Sequence, residues 1–127
     1  MKRIGMITAV AMGASLFVAS QAFAAGNAAQ GKTVFTGVCA MCHNDVKGGG
    51  AKIGPDLYGV VGRKAGSVAG FAYSPAMKKA GFVWTEQKLA AYIDNPQKVV
   101  PGNRMPYAGT QNMQKAENVA AYLATLK

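Results

Sequence analysis

Both cysteines and the single histidine of this 127-residue chain fall within five consecutive residues, Cys39-Ala40-Met41-Cys42-His43. Whatever sulfur and imidazole do here is done at one point, and the fold has to be organised around it. Three uses of such a cluster fit poorly. A structural zinc site takes four ligands of the Cys/His type, and this chain could complete one only with carboxylates, which show no pattern nearby. A redox dithiol belongs in a βαβ setting, whereas no alternating strand pattern occurs along the chain. A disulfide between the two cysteines would close a very short loop and give the adjacent histidine no purpose. The spacing C-x-x-C-H suits covalent haem attachment: two sulfurs form thioethers with the porphyrin vinyl groups, and the next residue, His43, lies under the iron as its proximal ligand.

The rest of the chain suits a fold wrapped around such a group. Residues 44–73 are broken repeatedly by Gly48-Gly49-Gly50, Gly54-Pro55, Gly59, Gly62, Gly66 and Gly70 and show no sustained period, which predicts a long loop with turns. Before it, Asn27 caps a first helix with Val34, Phe35 and Val38 on one face. Gly31 sits one turn before Phe35 on that face. A helical glycine costs about 1 kcal/mol against alanine, so another helix is expected to approach closely there. Ser74-Pro75 opens a short helix reaching Ala80. Thr85 caps another, with Glu86 in its first turn, that ends at Asp94 before Asn95-Pro96. A second loop spans 96–109. The last helix starts near Asn112 and runs to the C-terminus, with Ala116, Val119, Ala120, Leu123 and Leu126 on one face. The expected class is all-α, with three to four helices and two long loops around one covalent haem. About 100 residues in this form cannot build a large core from protein alone.

Residues 1–24 read as a secretory signal, with Lys2 and Arg3 before an apolar stretch from Ile4 to Val18 and a small-x-small site at Ala22-Phe23-Ala24. Cleavage after Ala24 would leave a domain over 25–127 and place it in the periplasm. That part carries twelve basic and five acidic residues. The basic residues form no run longer than two and do not alternate with aromatics, so a nucleic-acid platform is not supported. A basic exported protein meets acidic protein surfaces, or transiently an anionic membrane face.

With His43 used, the sixth iron position falls to a methionine: Met41, Met77, Met105 or Met113. Met41 lies within the pentad, Met113 begins the last helix and Met77 sits in a short helix. Met105 lies in a loop stiffened by Pro101 and Pro106, a good way to present a weak thioether. His/Met ligation raises the reduction potential and leaves no open position, which suits a carrier rather than an enzyme.

These motifs together resemble class I cytochromes c, specifically the mitochondrial-like bacterial ones. The resemblance spans about residues 31–123. It rests on Cys39-x-x-Cys42-His43, Gly54-Pro55-Asp56-Leu57, Gly62-Arg63-Lys64, Gly70-Phe71-Ala72-Tyr73, Trp84, Tyr92, Asn95-Pro96 and Pro101-Gly102-Asn103-Arg104-Met105. It implies that Met105 is the axial methionine and that the Pro55 carbonyl accepts the proximal imidazole N–H. It further implies that Tyr92 hydrogen-bonds the methionine sulfur, and that Arg63, Tyr73, Trp84 and Asn103 meet the haem propionates. Val38 stands where relatives usually carry a lysine, and Met77 where they carry an asparagine. The ring of basic residues at the haem edge is thinned to Lys52, Lys98 and Arg104, with Lys32 further out. The implied function is a monomeric, soluble one-electron carrier that is not an enzyme. Its partners would be a cytochrome bc complex, a terminal oxidase, a photosynthetic reaction centre or a dehydrogenase. A fixed haem subunit of a dehydrogenase or oxidase, or a haem sensor with an open sixth position, are the other readings.

Overall fold

A computed structural model describes residues 13–15 and 25–127. Apart from residues 13–15, the expected signal segment lies outside the described residues. Among these, no helix is long and apolar enough to cross a membrane.

The fold is helical. α1 spans Ala28–Val38 and runs into a 3-10 turn at Cys39–Met41; α2 spans Pro75–Lys79, α3 Glu86–Asp94, α4 Pro96–Val99 and α5 Met113–Ala124. Each N-terminus is stopped by the side chain expected to satisfy its free amides. Asn27 accepts from Gln30 N, Ser74 from Met77 N, Thr85 from Lys88 N and Asn112 from Lys115 N.

Two departures from the sequence reading have local causes. The segment after Asn95 is a further one-turn helix rather than loop from the outset. Asn95 ends α3 and also caps α4, its Oδ1 accepting from Lys98 N at 3.2 Å, while Pro96 fills the first helical position, where no N–H is needed. α5 stops at Ala124 instead of reaching the C-terminus, because Thr125 caps it and its hydroxyl turns back onto Tyr122 O at 2.6 Å. A single antiparallel bridge, Lys64 with Val83, also ties the long loop to the segment before α3.

α5 packs against both α1 and α3. α1 crosses it at Gly31, where a Cβ would lie 1.8 Å from Asn118 O; the close approach expected from the sequence is therefore real. Asn118 itself is buried, and it costs little because every polar group is used. It accepts from Asn27 N at 2.8 Å and Gln114 Nε2 at 3.1 Å, and donates to Gln30 Oε1 at 3.0 Å. Phe35 and Tyr122 add an aromatic contact, ring centroids 5.6 Å apart.

Tyr122 joins this helix pair to the segment that follows the pentad, donating its hydroxyl to Asp45 Oδ2 at 2.5 Å. Burial, then this bond and the charge of Asp45, push the phenol up to about 12. The fold thus favours the protonated tyrosine. Its contribution is complete below the unfolded value near 10 and is lost as the pH rises from about 10 to 12. Tyr122→Phe should cost about 1 kcal/mol at neutral pH, after allowing for screening by solvent, and should flatten the loss of stability above pH 10. Urea unfolding at a series of pH values measures both.

Candidate haem site

The core of this domain is hollow. Phe35, Val60, Trp84, Leu89, Tyr92, Val119 and Leu123, all buried, help line a cavity of about 380 Å³ that opens to the surface. That volume falls within the range of about 300–1,000 Å³ usual for small-molecule and cofactor sites. The cavity brings together residues far apart in the chain. Cys39, Cys42, His43, Pro55, Arg63, Tyr73, Trp84, Tyr92, Asn103 and Met105 all border it.

The pentad enters on the 3-10 turn. Cys42 N and His43 N both donate to Cys39 O, at 3.0 and 2.9 Å, which turns both cysteines and the histidine toward one space. The cysteines are not joined to each other. Burial, with Cys42 adding to it, pushes the Cys39 thiol up to about 11. Reactive redox cysteines are shifted the other way, which disfavours a dithiol exchange site.

His43 is fixed by its surroundings. Its Nδ1 lies 2.8 Å from Pro55 O. A carbonyl can only accept, so Nδ1 carries the proton and Nε2 keeps its lone pair for a metal. The ring lies against Gly54, where a Cβ would come within 2.3 Å of Cε1; no other residue type leaves room. Gly54 N donates to Cys42 O at 2.8 Å, so the loop that supplies the proline carbonyl is itself tied to the pentad. Burial holds the imidazole below its ordinary value, Arg63 acts the same way and the Pro55 bond opposes them. A neutral imidazole is what ligation requires.

Met105 reaches the cavity through a loop held from within. Its N–H donates to Asn103 Oδ1 at 3.0 Å, and Asn103 Nδ2 donates to Val100 O at 2.9 Å. Gln97 spans the turn by accepting from Gly102 N at 3.0 Å and donating to Asn103 O at 3.2 Å.

The four residues expected at the propionates differ in what they have to offer. Asn103 spends both polar atoms on the Met105 loop. Arg63 donates to Asp56 O at 3.0 Å and Tyr58 O at 3.3 Å, and the Tyr73 hydroxyl accepts from Val68 N at 3.1 Å. Trp84 is different. It sits between Phe82 and Tyr92 (centroids at 4.7 and 5.0 Å), and its N–H has no protein partner among the described residues. The Tyr92 hydroxyl has none either, and burial pushes it up to about 12. Neither is a sealed, unsatisfied atom, so both polar tips are accessible, and the cavity is the space their residues border.

A haem fits what these residues leave. The cavity is largely apolar and flanked by two free thiols, a neutral imidazole with a free Nε2, a thioether and polar tips without partners. Sequence reading also passed over several lining residues, among them Ile53 and Val60. They lie in aperiodic loops, where no spacing indicates which way a side chain faces.

The family model for cytochrome c matches residues 28–127. Cytochrome c2 of Rhodopila globiformis is 49% identical over 102 residues, covering 80% of this chain and 95% of that protein. Cytochrome c of Chlamydomonas reinhardtii is 46% identical over 99 residues, covering 78% and 88%. Among solved structures, cytochrome cH from Methylobacterium extorquens superposes with a TM-score of 0.72 at 40% identity, covering 79% of this chain and 99% of that one.

Proposed function

The chain belongs to the cytochrome c family and carries one haem c, bound covalently through Cys39 and Cys42; from that premise we propose that it is a soluble, exported one-electron carrier whose iron is held by His43 and Met105. The observation that carries this reading is the fixed His43 ring. Its tautomer is set by Pro55 and its free nitrogen belongs to a residue lining the same cavity as Met105. The electron-carrier role accords with the family; the axial pair, cleavage after Ala24 and periplasmic location are proposed with it.

The haem supplies a one-electron couple at its iron. The residues of the chain make that couple usable. The Pro55 carbonyl orients the imidazole and raises its basicity. Asn103 and Gln97 hold the Met105 loop, so the thioether would keep its place whichever oxidation state the haem were in, and little would have to reorganise. Leu57, Phe71, Tyr92 and Leu123 exclude water, which favours the less charged reduced centre. The Tyr92 hydroxyl, without a protein partner among the described residues, is the group that would donate to the Met105 sulfur, and Trp84 N–H the one that would meet a propionate. A cytochrome bc complex, terminal oxidase, reaction centre or dehydrogenase would exchange electrons at the haem edge.

Expression in a host that matures c-type cytochromes tests the attachment and the processing together. The purified protein should have the mass of residues 25–127 plus one haem and should show a low-spin reduced-minus-oxidised spectrum. Replacing both Cys39 and Cys42 with alanine should abolish the covalent mass increment. A colourless wild-type product would end the proposal.

A further inference from the structure

A second recess lies elsewhere on the surface. Its volume is also about 380 Å³, within the range usual for small-molecule sites, and none of its lining residues borders the haem cavity. Ala76 and Ala80 of α2 form one part of the lining and Val99, Val100 and Pro101 another, with Phe82 from the segment between α2 and α3. The charged groups that border it, among the described residues, are Lys79 and Lys88, and Lys88 Nζ stands 4.9 Å from the centre of the Phe82 ring. An apolar lining with two cations and no carboxylate suits an anion with an apolar body, and the Phe82 and Pro101 rings offer surfaces on which a flat body packs. None of the large apolar side chains exposed among the described residues, such as Val83 or Met113, borders this recess. Its apolar surface is set back rather than protruding, which fits a small molecule and not a membrane or protein face.

The recess adjoins the loop that carries Met105. Val100 is buried in its lining, and the Val100 carbonyl accepts from Asn103 N at 3.1 Å and Asn103 Nδ2 at 2.9 Å. Asn103 Oδ1 in turn accepts from Met105 N at 3.0 Å. α2 touches the same turn: a Cβ on Gly102 would lie 3.4 Å from Ala76 Cβ. We propose that this recess binds a small aromatic monocarboxylate, its carboxylate meeting Lys79 and Lys88, and that the occupant holds α2 against the Met105 turn. The second half of this rests on Met105 as an iron ligand. A molecule lodged between α2 and Val99, Val100 and Pro101 keeps its contacts only while the turn lies against the helix. It therefore binds the closed loop in preference to a displaced one, and by linkage it opposes loss of the thioether.

The probe is 2-naphthoate, titrated calorimetrically into the oxidised holoprotein. It should bind one to one, and about fivefold more tightly than the neutral 2-naphthylmethanol. Lys79→Gln with Lys88→Gln should abolish that difference. Lys47→Gln with Lys115→Gln removes the same charge away from the recess and should keep it. Imidazole is then added to compete with Met105 for the iron. Naphthoate at ten times its dissociation constant should weaken imidazole binding about tenfold in wild type, and about threefold or less at the same concentration in the Lys79/Lys88 variant. No saturable binding, or equal losses in the two double variants, would overturn the proposal. So would anionic phospholipid vesicles that bind through Lys79 and Lys88 while naphthoate does not, since the recess would then belong to a membrane face. Naphthoate binding that leaves imidazole affinity unchanged overturns the hold on the Met105 turn. If the wild type lacks the upfield methyl resonance of an iron-bound methionine, the ligation reading fails instead, and the calorimetry still decides the site.

Discussion

Met105→Ala is expected to lower the reduction potential by on the order of 0.1 V or more, within the roughly 0.8 V that axial ligation spans, and to let the reduced protein bind carbon monoxide. A neutral thioether favours Fe(II), and its loss both removes that preference and opens a coordination position. Burial separates the four candidate methionines. Met41 is 74% exposed, and Met113 is 44% exposed and does not border the cavity. Met77 is buried and does border it, so it is the one rival. Their backbones differ, in favour of Met105: it has its N–H held by Asn103 on a turn braced by Gln97, while Met77 lies within α2 with its N–H bonded to the capping Ser74 at 3.1 Å. Met77→Leu is therefore the control and should keep a closed, low-spin iron. Redox titration and carbon monoxide difference spectra read both variants. If Met105→Ala keeps its potential and Met77→Leu binds carbon monoxide, Met77 is the ligand.

Gly31→Ala should destabilise the domain by about 2–4 kcal/mol, although alanine is the better helix former. The propensity gain is about 1 kcal/mol. Against it, the new Cβ would lie 1.8 Å from Asn118 O and 2.4 Å from Asn118 C, both backbone atoms of α5 that cannot turn aside. Separating the helices to make room disturbs the Phe35–Tyr122 contact and the Asn118 hydrogen bonds, about 1 kcal/mol each, on top of about 1–3 kcal/mol for overpacking of this kind. For a domain of this size the midpoint of thermal unfolding should fall by about 10–20 °C. Gly37 lies in the same helix with nothing within 4 Å of an added Cβ. Gly37→Ala should raise stability by about 0.5–1 kcal/mol. Denaturant unfolding of the two variants separates packing from propensity, and a neutral Gly31→Ala would mean that the α1–α5 crossing is looser than described.

The sequence by itself determined the attachment point, the helices and the need for a group to fill the core. These are local properties: C-x-x-C-H is complete within five residues, four of the five α-helices announce their start through Asn27, Ser74, Thr85 or Asn112, and a glycine on an otherwise apolar helix face betrays its crossing partner. The tertiary structure decided what depends on the path of aperiodic chain. That Trp84 and Tyr92 keep polar tips without partners among the described residues, and that the exposed Val38, Met41 and Ile53 border the cavity, follows from contacts across the fold, such as those of Gly54 N with Cys42 O and Lys52 Nζ with Ala40 O. A loop has no period from which the direction of a side chain can be read. Where the backbone bonds are made by neighbours the sequence suffices, and where they are made across the fold only the folded chain shows which way each residue faces.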